Sequence, residues 1–145
     1  GEPLVRKEAP EILRALAALG VELAITTNGI LLESFLDLFR EIGLRSVNVS
    51  LDTLRPEKFA LITRRDHFAK VHGNILRLVD ENFRTKINVV VARGVNDGEI
   101  GDFIRWTKDL PLDVRFIEFM PFAGNRWRSE GVFPWREILA SAERE

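Results

Sequence analysis

Two stretches of this chain alternate polar and apolar residues in a way that could serve chemistry. In "RSVNVSLD" Asn48, Ser50 and Asp52 share one face and Val47, Val49 and Leu51 the other, while "KINVVV" carries Lys86 and Asn88 on one side. Strands buried in a parallel sheet are almost wholly apolar, so these polar faces imply an interior filled by a ligand. Lys86 and Arg115 stand at similar places near the beginnings of "KINVVV" and "RFIEFM". Each is either a solvated strand end or a cation aimed at an anionic ligand. A buried Lys86 beside Arg115 could also act as a Schiff-base lysine, since both conditions favour the neutral amine. Glu2, between Gly1 and Pro3, closes a strand or opens a turn, and its carboxylate either orders that turn or presents charge to a ligand. His67 and His72 are five apart with no third ligand nearby, which reads as two solvated helix residues and not a metal site.

Composition narrows the classes. The 145 residues are 46% apolar and 30% charged, enough for one domain, 1–145, with a core of its own. A net charge of −1 argues against a nucleic-acid or membrane-surface partner, both of which call for a basic excess. No long uncharged apolar run is present, and cytoplasm is the expected compartment. Zero cysteines exclude disulfides, and thiolate ligands for iron or zinc cannot come from these residues.

The elements that must position these residues follow one rhythm. Ile12, Leu16 and Leu19 recur at helical spacing before Gly20, and "VELAITTNG" is a strand cut off by Asn28-Gly29. Leu32, Phe35, Phe39 and Ile42 mark a second helix, "RSVNVSLD" a strand, and Pro56 the start of a short helix. A longer helix over about 67–81, the strand "KINVVV", a helix over about 97–108, the strand "DVRFIEFM" and a helix from Pro134 complete the chain. Strand–helix alternation with short loops means parallel strands covered by helices. No G-x-G-x-x-G follows a strand, and G-x-x-x-x-G-K-[ST] is absent, so a closed or partly closed (β/α) barrel is expected in preference to an open dinucleotide-binding sheet.

Six motifs in order, "GEPLVR", "TTNG", "NVSLD", "ITRRD", "KINVVVARGVND" and "RFIEFMP", make the chain resemble the radical S-adenosylmethionine (SAM) GTP 3′,8-cyclase family of molybdenum cofactor synthesis. The resemblance runs from Gly1 to about Pro121 and fades through "FAGNRWRSEG". It implies an α/β fold, a partial (β/α) barrel of the radical SAM, TIM-like type, from the end of its second strand through its sixth. It also implies a mechanism. SAM on a [4Fe–4S] cluster yields a 5′-deoxyadenosyl radical that takes the 3′ hydrogen of GTP, and the carbon radical closes onto C8 of guanine. The family's Cys-x-x-x-Cys-x-x-Cys loop and its three C-terminal cysteines have no counterpart among these residues, so this chain alone is expected to be inactive, a central segment of a parent enzyme.

Carried onto matching positions, the resemblance implies SAM contacts at Gly1, Glu2, Ser50 and Met120 and GTP contacts at Thr26, Lys86 and Arg115, with Asn88 a further interior contact. It implies no catalytic residue and no metal ligand within the chain, and a homodimeric parent. SAM is expected at the C-terminal ends of the strands, with the GTP phosphates deepest in the interior. Each position has a plainer alternative: Ser50 satisfied by backbone, Met120 filling a gap in the core, Thr26 beginning the Asn-Gly turn. Arg64 and Arg65 read as a solvated loop. Two further readings of the whole are a Schiff-base lyase using Lys86 and a non-catalytic remnant that binds SAM or a nucleotide.

Overall fold

A computed structural model describes residues 1–120 and 129–145; Pro121 of "RFIEFMP" and most of "FAGNRWRSEG" lie outside the described residues. Four strands, β1 (Ala24–Thr27), β2 (Ser46–Ser50), β3 (Arg84–Val91) and β4 (Leu112–Glu118), form one all-parallel sheet in the order β1-β2-β3-β4. The helices between and around them are α1 (Ala9–Ala17), α2 (Leu36–Glu41), α3 (Pro56–Thr63), α4 (Phe68–Asp80), α5 (Ile100–Asp109) and α6 (Trp135–Ala142). This is the α/β architecture expected from the alternation, with helices as crossovers between parallel strands.

Local chemistry explains most boundaries. Pro10 and Pro56 sit in the first turns of α1 and α3, where the missing N–H is no loss. Gly29 (φ +81°) ends β1, and a Cβ there would stand 3.0 Å from methyls of both Val49 and Val71, so glycine is required by conformation and by space. Two helices are shorter than the apolar spacing suggested. Residues Leu32–Ser34 and Asp97–Glu99 form 3₁₀ turns ahead of α2 and α5, a common way for an α-helix to begin. Strand β2 stops at Ser50 because the Asp52 side chain turns back and its Oδ1 accepts the Val90 N–H at 2.8 Å, replacing a ladder bond.

One face of the sheet carries the core. Val47, Val49, Leu51, Ile87, Val89 and Val91 are at most 1% exposed and cluster with Leu36, Phe39, Val71, Ile75, Leu78 and Phe103 from the helices. Burying side chains of this size contributes about 1.5–3 kcal/mol each. The other face carries Thr26, Asn48, Ser50, Lys86, Asn88, Asp113 and Arg115, all half-buried or exposed.

His72 departs from the solvated helix residue expected. His67 precedes α4, but His72 is within it, its ring stacked between Phe68 and Trp106 with centroids 5.5 Å from each. Amphipathic α4 and α5 meet there through His72 and Trp106, so the half-buried imidazole covers apolar surface. Burial pushes its pKa below the usual histidine value. The neutral ring is the form the fold prefers, so its stabilisation is full above the unfolded pKa near 6.5 and is lost as pH falls through and below it. Melting temperature should therefore drop between pH 7.5 and 5.5 by more in the wild type than in His72→Phe; equal drops would show that His72 does not titrate against the fold.

Candidate functional site

Register arranges the polar face in two rows. Thr26, Asn48, Lys86 and Asp113 pair across β1 to β4 in one row, and Ser50, Asn88 and Arg115 pair in the next, nearer the C-terminal ends. The rows are two residues apart, about 6.6 Å along the strands. In the lower row the Asn48 amide donates to Thr26 Oγ1 at 3.2 Å. Lys86 is half-buried and has no ion-pair partner among the described residues, and neither has Arg115. Most other arginines on the surface are paired, as Arg14 is with Glu41 and Arg93 with Glu137.

A pocket of about 190 Å³ opens above, lined by Gly1, Glu2, Thr26, Thr27, Asn28 and Ser50. Glu2 builds one wall. Its Oε1 accepts from the Thr27 hydroxyl at 2.7 Å and from Leu4 N at 3.1 Å, and its Oε2 accepts from Asn28 N at 2.6 Å. The carboxylate thereby fastens the Gly1–Glu2 segment to the end of β1, which is the turn-ordering alternative, while keeping a negative charge beside the pocket. Thr27, not Thr26, opens the Asn-Gly turn, its Oγ1 accepting from Gly29 N at 3.1 Å. A Cβ on Gly1 would meet nothing within 4 Å. The Ser50 hydroxyl is exposed and makes no hydrogen bond among the described residues, so the backbone-satisfied alternative does not describe it. Asn88 Oδ1 is buried and unpartnered among the described residues, an acceptor without a donor in front of it. Met120, 61% exposed two residues beyond β4, fills no gap in the core.

Two expectations need correction. Lys86 and Arg115 are not level: Lys86 pairs with Asp113, and Arg115 pairs with Asn88 one row higher. The strand starts misled because β3 begins two residues before Lys86 and β4 three before Arg115. Arg115 also borders a groove of about 420 Å³ along β4 with Ile104, Thr107 and Phe116, apart from the rim pocket. With Asp113 instead of Arg115 beside Lys86, the adjacent cation invoked for a Schiff-base lysine is missing. Asp52, next on the same side after Ser50, accepts from Val90 N, and burial raises its carboxyl pKa above the ordinary aspartate value.

Sequence reasoning missed two buried polar residues behind the rim. Asn96 and Glu99, 3% and 1% exposed, hold the loop after β2 to the loop after β3. "GVNDGE" reads as turn formers before a helix, and nothing in it marks Asn96 and Glu99 as interior. Arg64 and Arg65 are exposed, as a solvated loop should be. Among the described residues no three His, Cys, Asp or Glu side chains gather as a metal site, and no helix is long and apolar enough to cross a membrane.

The geometry is thus a rim with two unsatisfied groups, the Ser50 hydroxyl and Asn88 Oδ1, over a half-buried unpaired cation. That arrangement can hold an elongated ligand with a zwitterionic or hydroxyl-rich end and an anionic end.

Known proteins share this sequence and fold. The chain is 47% identical over 146 residues to "GTP 3′,8-cyclase, mitochondrial" of Arabidopsis thaliana, covering 96% of this chain and 36% of that protein. It is 41% identical over 147 residues to "GTP 3′,8-cyclase" of Syntrophomonas wolfei, covering 99% and 45%. The chain therefore spans less than half the length of these relatives. A radical SAM methyltransferase from Sphaerobacter thermophilus superposes with a TM-score of 0.77 at 22% identity, over 99% of this chain and 45% of that one, which shows the shared fold. The four parallel strands with their helices are accordingly part of a TIM-like barrel. The profile of the radical SAM superfamily matches residues 1–107, about three-quarters of the chain, and the chain belongs to that superfamily.

Proposed function

We propose that this chain is the central barrel segment of a GTP 3′,8-cyclase, holding SAM at the rim of the sheet and the triphosphate of GTP on the polar face below. The observation that carries the proposal is the two-row face: a rim pocket with the free Ser50 hydroxyl, and beneath it half-buried Lys86 without an ion partner. The names and identity of the relatives supply the substrate.

The residues present fit SAM. Its carboxylate and hydroxyls need donors and its ammonium needs oxygens; Ser50 offers a hydroxyl, Glu2 a negative charge, and Asn88 a buried acceptor awaiting a donor. Gly1 leaves room for close backbone approach. Met120 borders the same end of the sheet. The iron–sulfur cluster is different: its thiolate ligands cannot come from a sequence without cysteine, so no step is assigned to these residues through it. When bound and reduced, SAM supplies the hydrogen-abstracting radical. The chain's own share is binding and orientation. Thr26 and Lys86 are to position GTP in the lower row, and Arg115 to reach its phosphates from β4. The parent is proposed as a cytoplasmic homodimer with no nucleic-acid partner, although the Arabidopsis relative is named mitochondrial.

Ser50→Ala tests the reading. In the full-length protein, reconstituted anaerobically, calorimetry should show SAM binding weakened about five- to tenfold, the loss of one solvent-exposed hydrogen bond of about 1 to 1.4 kcal/mol, with GTP affinity nearly unchanged. Unchanged SAM affinity would remove Ser50 from the site.

A further inference from the structure

Strands β2 and β3 separate just beyond Ser50. Leu51 N still donates to Asn88 O at 3.0 Å, and the next contact is made by a side chain, Asp52 Oδ1 accepting from Val90 N at 2.8 Å. Asn96 closes the opening between the two chains. Its Nδ2 donates to the Asp52 carbonyl at 2.6 Å and to the Val90 carbonyl at 2.9 Å, and its Oδ1 accepts from Ala92 N at 2.8 Å. Both donors and the acceptor of the carboxamide are thus spent on backbone at the C-terminal ends of two neighbouring strands. Glu99 extends the tie, its Oε2 accepting from the Thr53 hydroxyl at 2.7 Å and Leu54 N at 3.0 Å.

The placement gives this tie a consequence for the rim. Ser50 lies two residues before Asp52 and Asn88 two before Val90, so the stapled residues adjoin the free hydroxyl and the orphaned acceptor. Backbone at a strand end is otherwise free to splay. A carboxamide bonded to both ends at once sets their separation, and it does so without lining the rim pocket.

We propose that Asn96 is a positioning residue for the SAM site, acting by stapling Asp52 to Val90 and so fixing Ser50 against Asn88. The inference rests on the function proposed above, and it assigns Asn96 no contact with ligand.

The test uses full-length protein with its cluster reconstituted, SAM and GTP affinities by anaerobic calorimetry, and melting temperature as a measure of folding. Asn96→Asp keeps the shape and the acceptor for Ala92 N but turns the donor that faced two carbonyls into an oxygen. It should weaken SAM binding about tenfold while GTP binding stays within about twofold. In the double variant with Ser50→Ala, SAM binding should be no more than about twofold weaker than in Ser50→Ala alone, because a misplaced serine and a missing one are the same loss. Asp52→Asn, which retains an acceptor for Val90 N and both carbonyls that Asn96 holds, should bind SAM within about twofold of wild type. Equal losses for SAM and GTP, or full additivity with Ser50→Ala, would make Asn96 a general structural residue and overturn the proposal. So would wild-type SAM affinity in Asn96→Asp. If Ser50→Ala itself leaves SAM binding intact, the site reading fails; if Ser50→Ala weakens it and Asn96→Asp does not, only the staple fails. Should Asn96→Asp not fold, Asn96→Ser, which removes the donors to the Asp52 and Val90 carbonyls without placing a charge there, decides by the same criteria.

Discussion

Lys86→Ala should lower GTP affinity by about tenfold to a hundredfold and leave SAM affinity nearly intact. Lys86 is half-buried in the lower row with no carboxylate paired to it, so its charge is available to an anion in a partly desolvated setting. A charge-assisted hydrogen bond to phosphate there contributes about 1.5 to 3 kcal/mol, which gives the stated range. Arg115→Ala should act in the same direction with a smaller effect, since Arg115 is exposed where Lys86 is half-buried. Because the interaction is electrostatic, wild-type affinity for GTP should also fall with added salt more steeply than affinity for guanosine. Calorimetry showing that Lys86→Ala binds GTP as tightly as wild type would return Lys86 to an ordinary solvated position.

The largest loss of stability should come from Lys58→Met. Glu99 is 1% exposed, and its Oε1 accepts no directed hydrogen bond; the charge is balanced by Lys58 Nζ at 2.9 Å, with Arg55 farther off at 3.9 Å. Lys58 also donates to Val95 O at 2.6 Å. Lys58 is itself 32% exposed, but removing it strands a fully buried carboxylate, which costs about 2 to 3 kcal/mol, or roughly 4 to 12 °C in melting temperature for a domain of this size. Glu99→Gln should cost less, about 1 to 2 kcal/mol, because it keeps an acceptor for Thr53 and Leu54 and lets the ammonium of Lys58 turn to water. A thermal melt in which Lys58→Met matches wild type would mean that Arg55 suffices to balance the carboxylate.

These two residues mark the limit of what could be read in advance. Lys86 was visible because strand alternation puts it opposite Val89 and Ile87, and a period of two survives any packing arrangement. Glu99 was not, since a glutamate after Asn96-Asp97-Gly98 looks the same whether a lysine from α3, 41 positions earlier, covers it or water does.

What the sequence by itself determined is therefore the local and periodic part of the structure: four strands, the helices between them, the Asn28-Gly29 turn, a polar face on β2 and β3, and the family to which six motifs in order belong. Those features depend on neighbours a few residues apart, where sterics and alternation act directly. Tertiary structure alone decided the rest. It put Lys86 beside Asp113 and Arg115 beside Asn88, because register is set by how whole strands pack. Similarly, it bonded the Asp52 side chain to Val90 N, slid His72 between Phe68 and Trp106, and bound Glu2 to Thr27 across 25 residues. In each case a side chain with several possible partners took the one that folding brought within reach, and burial made that choice costly to undo.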